Sequence, residues 1–194
     1  MNFLKNIYIW TLKKAEHKNA KWYLSLISFA ESSFFPIPPD ILLIPMALAS
    51  KTKALLYAFI CTLSSVLGGV FGYAIGYFFF NSVGLYIVEF YHLENSFNIF
   101  ENYYKEFGIL IVLGAGITPF PYKFITIASG VFGLNIYLFV IVSVIGRGLR
   151  FYLIAILLYF FGEKIKLFID KYFNILSITF FILLVGSVFI IRFL

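Results

Sequence analysis

Two proline-rich breaks in otherwise apolar segments constrain the fold of this chain more than any other feature of its sequence. The first break, FFPIPPD at residues 34–40, contains Pro36, Pro38 and Pro39 and divides the apolar stretch at residues 22–49. Each proline removes a backbone donor and pushes the preceding residue toward an extended conformation, so a helix cannot continue through the break. The sequence therefore predicts two short helical arms joined by a non-helical tip.

The apolar content of the chain indicates a membrane protein. Hydrophobic residues make up 62% of the 194 residues and charged residues only 12%, whereas soluble domains have about 45–50% apolar and about 25% charged residues. So few polar side chains cannot cover so many apolar ones, and the outer surface must therefore face lipid. We expect a single multi-pass membrane domain at residues 1–194.

The arms beside the first break are too short to cross a membrane. Each has about 10 to 13 residues, which at ~1.5 Å per residue reaches only ~15–20 Å into a hydrocarbon layer ~30 Å thick. We therefore expect a re-entrant hairpin, which enters and leaves the membrane on one side.

The same order of segments occurs twice along the chain. After the first hairpin, residues 54–80 are apolar and long enough to span. A second break, PFPYK at residues 119–123, contains Pro119 and Pro121 and is followed by a second long apolar stretch at residues 136–161. Duplicated broken segments are the sequence pattern of transporters built from two repeats.

These segments predict the domain organisation. An amphipathic interfacial helix precedes the first repeat, an interfacial connector separates the repeats, and a last transmembrane helix follows them. The predicted bounds are 1–21 for the amphipathic helix, 22–80 for repeat 1, 81–106 for the connector, 107–162 for repeat 2 and 173–193 for the C-terminal helix.

Basic residues at the ends of the apolar segments predict the orientation. Lysines are frequent in the first 21 residues, Lys51 and Lys53 follow the first hairpin, and Lys164 follows the second long stretch. The positive-inside rule places these residues, and the N-terminus, in the cytoplasm. The two hairpins then enter from opposite faces. The predicted fold class is an all-α integral membrane protein of two inverted repeats, each a re-entrant helical hairpin plus a transmembrane helix.

A glycine spacing in the first long stretch predicts close helix packing. Gly68, Gly72 and Gly76 are four residues apart and share one helical face. Small residues at this spacing let two backbones approach closely. We expect these glycines to pack against another helix rather than to bind a ligand.

Apart from charges at segment ends, the apolar body contains five ionisable residues: Glu31, Asp40, Lys123, Arg147 and Arg150. Unpaired, they would cost on the order of 12–17 kcal/mol, since each costs about 2.5–3.5 kcal/mol at a helix centre. They must pair or face water. We expect the hairpin tips to bring Asp40 and Lys123 together near the midplane, and the two arginines to share one helical face.

The chemistry of these five residues suits an anionic headgroup. Lys123 and the two arginines would bind it, because a guanidinium matches the geometry of phosphate. Glu31 or Asp40 would take up a proton and release or admit the anion. Static ion pairs that lock the repeats together are the alternative.

Other functional classes lack their signatures. The formal net charge is +6, but the basic residues are dispersed, so we expect no nucleic-acid partner. Cys61 is the one cysteine, and His17 and His92 lie in distant polar segments, which predicts no disulfide and no metal. No nucleophile has an obvious base partner, so we expect no enzyme and no cofactor.

Four motifs resemble those of a known family. They are E-x-x-x-x-P-x-P-P-D at residues 31–40, G-G-x-x-G-Y-x-x-G at 68–76, T-P-F-P-Y-K followed by A-S-G within 118–130, and G-R-G-L-R-F at 146–151. In this order and spacing the chain resembles the DedA superfamily, also called the VTT or SNARE-associated domain, and within it the shorter YqaA-like branch. The resemblance covers roughly residues 24–162.

The resemblance implies two opposed re-entrant hairpins and the movement of lipids across the bacterial cytoplasmic membrane. Bacterial members are associated with undecaprenyl phosphate recycling, phospholipid transport and membrane homeostasis, and eukaryotic relatives act as scramblases. Glu31 and Asp40 match the membrane acids of the family, and Arg147 and Arg150 match the YqaA-like pattern. Lys123 stands about where many members have an arginine.

Two positions depart from the family pattern. Gly69 stands where many members have an aspartate, and Gly116 stands where an arginine usually precedes the second break.

We therefore expect a lipid flippase or scramblase that moves a phospholipid or undecaprenyl phosphate, coupled to protons, with membrane lipids as its partners. A proton-coupled exporter of small cations is one alternative, in which the acids and not the arginines dominate activity. A non-transporting membrane assembly factor is another, and it would tolerate the loss of the arginines. Homo-oligomer formation stays open.

Overall fold

The computed structural model describes residues 19–90, 94–118, 120–162 and 164, and helices are the regular secondary structure of this part of the chain. Most of the predicted amphipathic helix at 1–21, the predicted transmembrane helix at 173–193, and Pro119 lie outside the described residues. The helices are α1 (Ala20–Ser33), α2 (Asp40–Ala49), α3 (Ala54–Phe79), α4 (Leu85–Phe90), α5 (Glu94–Ile117), α6 (Tyr122–Val131) and α7 (Ile136–Gly162).

Both proline-rich breaks end helices, as their sequences predict. Helix α1 ends at Ser33 and α2 begins at Asp40, directly after Pro39. Helix α5 ends at Ile117 and α6 begins at Tyr122, directly after Pro121. A proline is tolerated there because the first amides of a helix have no intrahelical acceptor.

Among the described residues, two helices are long and apolar enough to cross a membrane, judged by length and composition. One is α3 with the 3₁₀ turn that precedes it, Lys51–Phe79, and the other is α7. They contain 29 and 27 residues. At ~1.5 Å per residue each exceeds a hydrocarbon layer of ~30 Å. Helices α2 and α6 have 10 residues each and reach only ~15 Å.

Helix α5 is longer than the sequence suggested. It begins at Glu94, so the predicted boundary between the connector and repeat 2, at residues 106 and 107, falls inside one continuous helix. The polar residues lie on its surface, where Glu101 and Lys105 form an ion pair at 2.7 Å one turn apart. The Tyr104 hydroxyl contacts the Ile125 carbonyl of α6 at 3.1 Å. The last part of the predicted connector is therefore helical and packs on one face against α6.

Two hydrophobic cores define how the long helices run. The first core contains Leu24 of α1, Leu43 of α2, Cys61 of α3 and Phe151 of α7. The second contains Val112 of α5, Tyr122 of α6 and Phe139 of α7, with Val70 of α3 packed against it. Helix α3 therefore starts in the first core and ends at the second, while α7 runs in the opposite direction.

The glycine face of α3 lies against both hairpins. A Cβ at Gly68 would overlap the Phe29 carbonyl of α1, and a Cβ at Gly76 would overlap the Ile127 carbonyl of α6. Between them, a Cβ at Gly72 would collide with Thr126 of α6. Only glycine lets the backbones approach this closely, so the three residues set the position of α1 and α6 on α3.

Gly76→Ala is expected to lower the melting temperature of the purified protein, because its methyl group forces apart two backbones at a cost of about 1–3 kcal/mol. Gly114→Ala is the matched control, since a Cβ there meets no atom within 4 Å and alanine favours a helix by about 1 kcal/mol. Thermal unfolding followed by circular dichroism compares them. Equal melting temperatures for the two variants would contradict the role assigned to the glycine face.

Candidate functional site

The two proline-rich breaks lie close to each other and to the middle of α7. The Thr126 hydroxyl of α6 donates to the Ser32 carbonyl of α1 at 2.9 Å, which joins one hairpin to the other. Arg147 of α7 bonds to Glu31 beside the first break. Arg150, one turn further, bonds to Asp40 of the first break and to Thr118, which directly precedes the second break. This region, where four helix ends surround α7, is the candidate site.

Arg147 is buried, with 1% of its surface exposed, and its guanidinium makes hydrogen bonds and contacts with aromatic rings. Its Nη2 donates to Glu31 Oε2 at 2.6 Å, and its Nε donates to Ser65 Oγ at 2.6 Å. The guanidinium carbon lies 5.0 Å from the ring centroid of Tyr122 and 4.6 Å from that of Phe151. A carboxylate and two aromatic faces thus offset the cost of removing the cation from water.

Two serines close the Glu31–Arg147 pair into a ring. The Ser32 hydroxyl donates to Glu31 Oε2 at 3.1 Å and lies 2.6 Å from Ser65 Oγ. A guanidinium only donates and a carboxylate only accepts, so the directions are fixed: Arg147 to Ser65, Ser65 to Ser32, Ser32 to Glu31. The chain of three bonds from Arg147 through the two serines thus runs parallel to the direct bond from Arg147 to Glu31, and each hydroxyl that donates in the chain also accepts, so each bond supports the next.

Arg150 connects the two breaks. Its Nη2 donates to Asp40 Oδ2 at 2.5 Å, and its Nη1 donates to the Thr118 carbonyl at 2.6 Å. Asp40 is the first residue of α2, and Thr118 follows the last residue of α5. The other oxygen of Asp40, Oδ1, is buried without a hydrogen-bond partner, the one such side-chain atom in the part of the chain that the structure describes.

A small cavity lies between the breaks. Its volume is about 120 Å³, and its lining includes Glu31, Lys123 and the break prolines Pro36, Pro38 and Pro121. The only hydrogen bonds that Glu31 makes to described side chains engage Oε2. Glu31 thus lines this cavity, and its Oε1 has no hydrogen bond to a described side chain.

Lys123 differs from the two arginines in having no ion pair with any described residue. Its ammonium lies 5.3 Å from the ring centroid of the neighbouring Phe124. The expected pairing of Asp40 with Lys123 does not occur: Asp40 pairs with Arg150, and Lys123 lines the cavity that Glu31 shares. The reason is that α7 passes next to the first break and brings Arg150 to Asp40.

All five ionisable residues that the sequence singled out lie in this region, and four of them form two acid–base pairs. Sequence reasoning assigned no role to Ser65, Tyr122 or Phe151, which contact Arg147. Ser65 could have been identified from the sequence, because it places a hydroxyl in the middle of an apolar stretch. Among the described residues, no three His, Cys, Asp or Glu side chains form a group able to hold a metal ion.

Glu31→Gln is expected to lower the free energy of unfolding by about 3–5 kcal/mol, because it leaves the buried Arg147 without its carboxylate. Glu101→Gln, the same change in the exposed pair with Lys105, should cost less than about 1 kcal/mol. Denaturant unfolding in detergent micelles measures both.

The double variant Glu31→Gln/Arg147→Gln separates the charge effect from a general loss of packing. It removes both charges, so it should be more stable than Glu31→Gln alone. A double variant no more stable than the single one would show that the unpaired arginine is not the cause.

Comparisons with known proteins give relatives whose functions are not described. No family model matches the chain, and no solved structure matches it significantly. A protein from Haemophilus influenzae is 34% identical over 192 residues, which cover 99% of this chain and 100% of that protein. A protein from Histophilus somni is 32% identical over 164 residues, 84% of this chain and 85% of its own length. Both carry the description "uncharacterized", and the chain belongs to the family that the Haemophilus influenzae protein represents.

Proposed function

We propose that this chain is a DedA-like membrane transporter, a flippase or scramblase that moves a phospholipid or undecaprenyl phosphate across the bacterial cytoplasmic membrane. It supports membrane homeostasis, its N-terminus is cytoplasmic, and its transport is coupled to protons. In this proposal α3 and α7 span the bilayer, and the α1–α2 and α5–α6 hairpins enter it from opposite sides.

The outer faces of the long helices support a membrane location. Large apolar side chains are exposed along α3, among them Leu63, Leu67 and Phe71, and along α7, among them Leu149 and Leu153. The ionisable groups, in contrast, point inward: Arg147 is buried and Glu31 nearly so. Apolar side chains outside and paired charges inside are the arrangement expected for a protein dissolved in lipid.

The course of the long helices supports the inverted repeats. Helix α3 leads from the first core to the second, and α7 leads from the second core to the first. Each follows a hairpin interrupted by prolines. A rotation about an axis in the membrane plane would exchange such units, and transporters place their substrate sites at the interface between them.

The observation that carries the proposal is the two ion pairs at the breaks, the buried pair Glu31–Arg147 and the partly buried pair Asp40–Arg150. Both guanidiniums are held by a carboxylate. When that carboxylate binds a proton it loses its charge, and the guanidinium becomes available to phosphate oxygens, its best-matched anionic ligand. In each ion pair, proton uptake by the carboxylate is thereby linked to binding of a phosphate headgroup by the arginine.

Lys123 has a separate part in this scheme. As the cation in the cavity without an ion-pair partner among the described residues, it is the first positive charge that an entering headgroup would meet. An ammonium is a compact point charge that attracts phosphate without fixing its orientation. The arginines then supply the directional bonds.

A non-transporting assembly factor is the second candidate, and the closed ring around Arg147 favours it. In that ring every bond is internal, and a buried ion pair with satisfied partners is not in itself a sign of function. The pairs would then only hold the hairpins together. A small-cation exporter has no comparable support, because both acids are already neutralised by arginines.

Transport by protein reconstituted in liposomes is expected to fall at least about tenfold in Asp40→Asn and Arg147→Gln, since each loses a charge-assisted bond of about 1.5–3 kcal/mol. The assay follows labelled phospholipid and labelled undecaprenyl phosphate, with and without a pH gradient. Glu101→Gln, in an exposed pair away from the site, should move lipid like the wild type.

Melting temperatures of the same samples separate inactive from unfolded protein. If folded Asp40→Asn or Arg147→Gln protein moves lipid at the wild-type rate, the transporter proposal is refuted. The assembly factor is then the remaining candidate. Transport that ignores a collapsed proton gradient would refute the coupling to protons alone.

Cysteine labelling tests the re-entrant hairpins in a Cys61→Ala background, which removes the one native cysteine. With a membrane-impermeant maleimide, Ile37→Cys and Phe120→Cys at the tips should not react from either side, although both residues are exposed in the structure. Lys53→Cys should react from the cytoplasm and Tyr86→Cys from outside. Reaction of Ile37→Cys from outside would mean that the first hairpin crosses the bilayer completely.

A further inference from the structure

An apolar groove on the outer face of α7 leads to Arg150. It has a volume of about 380 Å³ and is lined by Ile117 at the end of α5 and by Leu149, Arg150, Leu153 and Ile154 of α7. Among the described residues of this lining, Arg150 is the one that is charged, and 15% of its side chain is exposed. The groove thus joins the apolar surface to the ion pair at the first break.

The Arg150 guanidinium has donors to spare. It carries five N–H groups, and two of them are used, for Asp40 and the Thr118 carbonyl. The other three N–H groups have no partner among the described residues. It is costly to leave the N–H donors of a cation without hydrogen bonds beside a lipid-facing groove, and an anion bound there would accept those bonds.

A second groove runs beside the first. Its volume is about 430 Å³, and Gly148 and Tyr152 are in its lining, together with Leu149 and Leu153. Leu149 and Leu153 line both grooves. They are four residues apart and so lie above each other on one face of α7. They form a ridge with one apolar groove on each side.

We propose that these two grooves hold the two acyl chains of an anionic diacyl phospholipid, whose phosphate accepts hydrogen bonds from the spare N–H groups of Arg150. The proposal rests on the membrane transporter proposed above and deepens it, because it names the substrate class. Two grooves separated by a ridge match a lipid with two chains, and charge complementarity with Arg150 matches its phosphate. A single-chain polyprenyl phosphate would leave one groove empty.

Equilibrium lipid binding tests this proposal without any need for transport. Native mass spectrometry of the purified protein in detergent would measure binding of dioleoyl phosphatidylglycerol, dioleoylglycerol and undecaprenyl phosphate. Wild-type protein should bind the phosphatidylglycerol at least about tenfold more tightly than dioleoylglycerol, which has the same chains and no phosphate, because hydrogen bonds to charged groups are strong.

Two groove variants test the position of the chains. Leu153→Trp enlarges the ridge into both grooves at a residue that is 58% exposed, and it should weaken phosphatidylglycerol binding about tenfold. Ile145→Trp is the matched control, since Ile145 is also on α7, is 48% exposed and lines neither groove. It should bind the lipid like the wild type.

The headgroup contact is tested by Asp40→Asn/Arg150→Gln, which removes the guanidinium without leaving a lone carboxylate. It should bind phosphatidylglycerol and dioleoylglycerol equally. Arg150→Lys keeps the positive charge and should retain part of the preference, which separates loss of the contact from loss of the fold.

Three results would overturn the inference: wild-type affinity in Leu153→Trp, an unchanged phosphate preference in the double variant, or tighter binding of undecaprenyl phosphate than of phosphatidylglycerol. Failure of the transporter proposal would look different. Protein that binds phosphatidylglycerol in the grooves but does not move it in liposomes would refute transport alone. Transport that persists at the wild-type rate in Leu153→Trp would refute the groove alone.

Discussion

The placement of two arginines on one apolar helix, Arg147 buried and Arg150 partly buried, is the constraint on which the rest of the structure depends. A guanidinium removed from water needs a carboxylate and further acceptors around it, and Arg147 and Arg150 obtain them from α1, α2, α3 and the end of α5. Glu31 is in the last turn of α1, and Asp40 is the first residue of α2. The helix ends at the hairpin tips must therefore lie next to α7 for its positive charges to be neutralised.

Close packing of the backbones makes these short bonds attainable. Helix α3 carries Ser65 to the Nε of Arg147, and its glycine face lets α1 and α6 lie directly on it. A side chain larger than hydrogen at Gly68 or Gly72 would move α1 outward and carry Glu31 away from the arginine. Packing and charge pairing are in this way two parts of one arrangement, since interiors are close-packed and transmit displacements.

The prolines and the charges were readable from the sequence, whereas the pairing was not. Prolines act through local geometry, so the breaks around Pro39 and Pro121 end helices where the sequence predicts. Which acid pairs with which base depends on the position of α7 along its axis relative to the hairpins, and no local sequence rule determines that position. The start of α5 resembles an interfacial connector in sequence, because polar residues alternate there with aromatic ones. In the structure the aromatic residues form its packed face: Phe97 and Tyr104 contact Phe132. The repeats, the membrane and the lipid substrate remain proposals.

The long sequence separation of the ion pairs has a consequence for biogenesis. Glu31 and Asp40 are synthesised 116 and 110 residues before the arginines that neutralise them. If the chain inserts as the membrane protein proposed above, a nascent chain entering the bilayer in order would hold these two carboxylates without their arginines until α7 emerges. Those carboxyl groups would have to stay protonated or in contact with water in the meantime. The first hairpin would consequently complete its insertion only after the second half of the protein has been made.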